Sequence, residues 1–105
     1  MKIQQMESFG GFIRKLREQT KQPIRKIAAQ LDIDSSLLGK IERNERQPTK
    51  EVIEKIAKIF NQDLQELTNK FLSDQIAYKI VNENADIEVL KVAEKKIKYL
   101  TNKKI

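Results

Sequence analysis

Three residues, Asp32-Ile33-Asp34, separate two apolar stripes, and this spacing constrains the fold more than any other feature of the chain. Before the gap, Ile24, Ile27, Ala28 and Leu31 recur at three- and four-residue intervals, the period of one helix face. After it, Leu38 and Ile41 form a second inward pair. A three-residue link permits only a sharp corner, so the two helices must cross. Pro23 suits the first turn of the first helix, where an N–H would have no partner. Asp34 suits the N-cap of the second, with its carboxylate at the positive helix end. A polar loop running to Pro48 closes the segment.

Two short helices crossing at such a corner make a helix-turn-helix unit, whose second helix enters the major groove of DNA. The outward face of the second helix fits that use. At 100° per residue, Ser36, Gly39, Lys40 and Arg43 lie opposite Leu38 and Ile41, with Ser35 at the flank. Small polar residues let a helix approach base edges, and cations meet guanine edges or phosphates. A plain solvated face is the bland alternative for the same residues.

The remaining pattern is helical throughout. Only three glycines and two prolines occur in 105 residues, and strand-like alternation is missing. A helix is expected from about Ser8 to Gln19, with Phe9, Phe12, Ile13 and Leu16 on one stripe. Another follows Thr49 as cap and carries Val52, Ile53, Ile56, Ala57 and Phe60. Asp63 and Glu66 read as a capping box opening a fifth helix, with Leu64, Leu67, Phe71 and Leu72 inward. Ile76, Ile80 and Val81 extend it to about residue 80, and Asn82-Glu83-Asn84 breaks it. A final helix is expected from about Asp86 to Leu100, ahead of a frayed Lys103-Lys104 tail. It carries two apolar seams: Ile87, Leu90, Ala93, Ile97 and Leu100, then Val89, Val92 and Tyr99. Two seams need two partners. One is expected on Phe71, Leu72, Ile76 and Ile80 of the same chain, the other across a homodimer interface formed by Ile87, Val89, Leu90, Val92, Ala93, Ile97 and Tyr99. Met6 reads as a candidate start, with residues 1–7 a flexible leader. The expected organisation is a DNA-binding domain over 8–67 and a dimerising helical extension over 68–105.

Charge points the same way. The net charge is +6, which suits DNA contact and also an ordinary basic protein. All five arginines fall between residues 14 and 46, whereas every base after Lys70 is a lysine. Arginine makes fixed, bidentate contacts and lysine is a mobile point charge, so fixed-geometry charge is concentrated in the first half. Cysteine and histidine do not occur. This removes disulfides, Cys/His metal sites and catalysis based on either residue. We expect no catalytic residue, no metal and no cofactor. No apolar run approaches the roughly 20 residues that a membrane helix needs. The expectation is therefore a cytoplasmic chain without a membrane partner.

The ordered motifs resemble those of the Cro/C1-type helix-turn-helix domain of the Xre family of bacterial and phage regulators. They are IRKLR at 13–17, IAAQL at 27–31, DID at 32–34, KIERNERQP at 40–48 and KIAKIF at 55–60. The resemblance implies an all-α, five-helix, lambda repressor-like domain that binds operator DNA as a dimer. The whole chain is also similar to small regulators found beside DNA methyltransferase genes in restriction–modification loci. Carried over by position, Ser35, Ser36, Gly39 and Lys40 contact bases, and Arg43, Asn44, Arg46 and Thr49 contact phosphates. Ile24 stands where the family usually has a phosphate-supporting glutamine, so Gln22 or Arg25 is expected in that role. Gly39 stands where serine is common. Asp32 and Asn44 replace glycines of the two turns, which they can do because both tolerate the left-handed conformation. The resemblance also implies an ion pair between Arg17 and Glu42, and the latter, at the margin of a buried helix face, needs a cation.

The leading reading is a homodimeric, sequence-specific transcriptional regulator acting on an inverted repeat in double-stranded DNA. The alternatives are an antitoxin that also masks a toxin protein, and a helical protein-interaction module.

Overall fold

The computed structural model describes residues 7–103. It is all-α, with helices α1 (Phe9–Thr20), α2 (Ile24–Leu31), α3 (Ser35–Glu42), α4 (Lys50–Ile59), α5 (Leu64–Asn82) and α6 (Val89–Lys103). No strand occurs among the described residues. The chain divides into two compact units, one ending at Asp74 and the other starting at Gln75. Apart from Glu7, the expected leader lies outside the described residues, as does Lys104.

In the first unit, every helix but α2 starts where a side chain takes up a free N–H. Ser8 Oγ accepts from the Gly11 N–H (3.0 Å), Asp34 Oδ1 from Leu37 (2.7 Å), Thr49 Oγ1 from Val52 (3.2 Å) and Asp63 Oδ2 from Glu66 (2.9 Å). Pro23 differs slightly from expectation. It is the N-cap of α2 rather than its first residue, and its carbonyl accepts from Lys26 and Ile27.

The helix ends share one device. Asp32, Asn44, Asn61 and Asn84 each adopt a positive φ, between 53° and 62°. At each, the left-handed N–H bonds three residues back and the next N–H bonds five back, as Asp32 to Ala29 and Ile33 to Ala28 do. Asp32 and Asn44 thus form the two turns in place of glycine, as their sequence positions suggest. Helix α1 also ends on a left-handed residue, Lys21 (φ 60°), whose N–H bonds the Glu18 carbonyl (3.1 Å). There the next N–H, of Gln22, bonds the Thr20 hydroxyl (3.1 Å), which itself donates to the Arg17 carbonyl (2.6 Å).

The core comprises Phe9, Ile13, Ile27, Ala28, Leu31, Leu38, Ile41, Val52, Ile53, Ile56, Ala57 and Leu67. Helix α3 packs on α1 and α2, and α2 also packs on α4. Gly10 sets the approach of α1 to α3. A side chain there would overlap the carbonyls of Ile41 and Glu42 and the amide oxygen of Asn44. Helix α5 closes the core with less than its composition suggests. Leu67 is buried and Phe71 meets Phe9 edge-on at 5.3 Å, but Leu64 and Leu72 are 44% and 49% exposed instead of inward. The stripe that faces the core runs Leu67, Phe71, Asp74, and five residues from Leu67 turns Leu72 about 140° away.

The second unit holds the end of α5, the turn at Asn84, and α6. Helix α6 starts at Val89 rather than Asp86 and still includes Lys103. Asp86 Oδ1 accepts from the Glu88 N–H (2.9 Å), and the turn through Ile87 and Glu88 uses i to i+3 bonds. Ile87 therefore precedes the helix that was expected to carry it. Within this unit the expected burial of an α6 seam against Ile76 and Ile80 is slight. Ile76 and Val81 are exposed, as are Ile87, Val89, Leu90, Val92, Ile97, Tyr99 and Leu100; of these apolar residues only Ile80 and Ala93 are partly covered.

Candidate nucleic-acid interface

Helix α3 is anchored from below before it presents anything outward. Leu38 and Ile41 are fully buried. Beside them, Arg17 of α1 grips Glu42 with both branches of its fork, Nε to Oε2 at 2.7 Å and Nη2 to Oε1 at 3.0 Å. The two side chains are 16% and 5% exposed. The hydrogen bond to Glu42 raises the Arg17 pKa, overcoming desolvation that acts the other way. Glu42 is a buried acid held by a fixed cation, which sets the rotation of α3 about its axis.

The outer face carries what remains. Ser36 is exposed, and Ser35 and Lys40 are partly so. Gly39, expected to be open to DNA, is buried. Its neighbour is the Arg43 side chain, which folds back along the helix and lies over it. Arg43 is exposed and forks onto Glu45, Nε to Oε2 at 3.1 Å and Nη2 to Oε1 at 3.4 Å. That hydrogen bond raises the Arg43 pKa and lowers the Glu45 pKa.

Arg25 on α2 and Arg46 in the loop after α3 are exposed. Neither they nor Lys40 forms an ion pair among the described residues. Thr49 is exposed while its oxygen caps α4, and a hydroxyl that accepts can still donate to a phosphate. Gln22 is partly covered, and its Oε1 is buried with no hydrogen-bond partner among the described residues.

Asn44, expected at a phosphate, also ties its turn to the start of α1. Its Oδ1 accepts from the Gly10 N–H (3.0 Å) and its Nδ2 donates to Ser8 Oγ (2.9 Å). Both ends of the amide reach the start of α1, whose orphan N–H groups need acceptors, and the second Nδ2 N–H is not used in either bond. The Phe9 N–H is met by Asp74 Oδ2 at 2.6 Å, from 65 residues away. Sequence reading missed Gly10, Glu45 and Asp74. Gly10 could have been suspected as a glycine inside a strong helix pattern. Nothing local marks Asp74.

No group of three or more acidic residues able to hold a metal occurs among the described residues. No helix of the described residues is long and apolar enough to cross a membrane.

The model of the helix-turn-helix domain family matches residues 10–71, more than half of the chain. No curated protein and no solved structure matches it. The matched span runs from the glycine that admits α3 to the phenylalanine that closes the core, and it contains the whole α2–turn–α3 unit. On that match and this all-α, Cro/C1-type arrangement, the chain belongs to the helix-turn-helix family of DNA-binding regulators.

Proposed function

We propose that this protein is a sequence-specific transcriptional regulator that binds an inverted repeat in double-stranded DNA as a homodimer, in the cytoplasm. The observation that carries the reading is the outer face of α3. It is narrow, small-residued and cationic, and Lys40, in no ion pair among the described residues, stands on a helix anchored by the Arg17–Glu42 pair. In this reading Ser35, Ser36 and Lys40 meet base edges. Arg25, Arg46, Thr49 and Gln22 hold phosphates and set the register. The second copy meets the first through α6, whose valines, leucines, Ile97 and Tyr99 are all exposed. The likeness to regulators beside methyltransferase genes rests on the sequence alone.

Selection of binding sites from a random DNA pool tests the reading. The expected product is an inverted repeat with half-site centres roughly 34 Å apart, bound with an affinity that falls steeply with salt. Recovery of unrelated sequences at salt-independent affinity contradicts it. The exposed α6 surface also favours one alternative, an antitoxin whose C-terminal helices cover a toxin protein. That reading predicts a stoichiometric heteromeric complex in the native host rather than a free dimer.

A further inference from the structure

Arg43 is the C-cap residue of α3, one turn beyond Gly39. A side chain at a helix C-terminus leans back over the residue four positions earlier. At that position the chain has glycine, so the guanidinium settles onto bare backbone. A Cβ on Gly39 would meet Arg43 Nη1 at 3.2 Å, its Cζ at 3.9 Å and its Nη2 at 4.0 Å, the three nearest atoms beyond its own helix backbone and flanking residues. The notch therefore fits this one side chain.

The second restraint comes from Glu45. Its N–H is tied to the Lys40 carbonyl (2.8 Å) by the left-handed turn at Asn44, which fixes where its side chain begins. Its carboxylate then takes the Nε/Nη2 edge of Arg43. This leaves the Nη1/Nη2 edge, the end of the fork, without a second protein acceptor among the described residues. That edge matches a pair of acceptors side by side, the O6 and N7 of a guanine in the major groove.

We propose that Arg43 reads a guanine, one in each half-site, and that Glu45 and the Gly39 notch are the features that position it. The inference rests on the DNA-binding reading above and reassigns Arg43 from the phosphate contact expected from sequence. Glu45 carries a negative charge toward a polyanion, so it weakens binding to all DNA. What it adds is discrimination: an arginine already aimed loses less freedom when it meets the correct base.

The experiment is site selection from a random pool with the full chain and with Glu45→Gln, Gly39→Ala and Arg43→Lys, alongside thermal melts. The wild-type chain enriches a motif with a guanine at one position per half-site. Glu45→Gln binds random DNA more tightly, yet loses roughly tenfold in preference for that guanine and keeps the rest of the motif. Gly39→Ala shifts the guanidinium by a few tenths of an ångström. It loses preference at the same position while melting at a higher temperature, because alanine favours helix. Arg43→Lys keeps the charge and loses the guanine. If Glu45→Gln and Gly39→Ala leave every position of the motif unchanged, or weaken all positions alike, the inference is overturned while the DNA reading stands. A wild-type chain that enriches no motif overturns both.

Discussion

At the scale of single residues, the chain separates two jobs that glycine often does together. Left-handed turns are made by asparagine, aspartate and lysine, and no glycine has a positive φ. Glycine is kept for close approach: Gly10 beneath the end of α3 and Gly39 beneath Arg43. The turn residues were legible in sequence because Asp32 and Asn44 end strong apolar patterns. The burial of Gly39 was not, since it depends on where an arginine four residues later lies. The Arg17–Glu42 pair makes the sharpest energetic prediction. With both side chains largely buried, Arg17→Met leaves an uncompensated carboxylate and should cost about 3–5 kcal/mol in urea denaturation. The Arg17→Met, Glu42→Leu double variant should recover much of that, and additive losses would show that the two residues do not couple. The exposed Arg43–Glu45 pair predicts a titration instead. The hydrogen bond from Arg43 lowers the Glu45 pKa, so its ionised form is favoured by folding. Any stabilisation from the pair is present above the ordinary glutamate range and is lost as the pH falls through the lowered folded value. Carboxyl-resolved NMR should find Glu45 titrating below ordinary glutamates, and Arg43→Ala should return it to their range.

At the scale of elements, periodicity located six helices, and capping chemistry set most of their ends. It failed where local pattern competes with something more specific. Helix α6 starts late because the Asp86 side chain bonds the Glu88 N–H and draws the preceding residues into a turn. Helix α5 has apolar residues on several sides, so composition alone could not say that Leu67 and Phe71 face the core while Leu64 and Leu72 do not. Nor could it reveal that the start of α1 is shared among Ser8, Asn44 and Asp74, each taking one N–H. That junction ties the middle of α5 into the first unit. Replacing Asp74 with alanine removes a charged acceptor from the Phe9 N–H and should cost about 1.5–3 kcal/mol in thermal or urea denaturation. A loss within experimental error would mean that water serves the N–H equally well.

At the scale of the whole molecule, the chain joins a helix-turn-helix unit to a helix whose apolar surface is open. The first was readable from sequence because its stripes, corner and caps agree with one another. The partner of α6 was not, because the seams announce burial without naming what buries them. With a second copy as the proposed partner, a chain truncated after Asn84 should sediment as a monomer and bind an operator far more weakly. Its first unit should still melt cooperatively. Two weak half-site contacts bind tightly only when joined, because the first raises the effective concentration of the second. A truncated chain that stays dimeric at micromolar concentration would place the interface elsewhere. Lys40 is the sharpest probe of the proposal that the outer face of α3 reads DNA sequence. Its side chain is on that face, partly covered, and in no ion pair among the described residues. Affinities of the wild type and Lys40→Ala should be measured on the selected operator and on a scrambled duplex at several salt concentrations. Lys40→Ala should lose about 1–3 kcal/mol on the operator and little on the scrambled duplex, with its preference relaxed at one base pair. Equal wild-type affinity for the two duplexes, or an equal loss on both, would contradict the proposal.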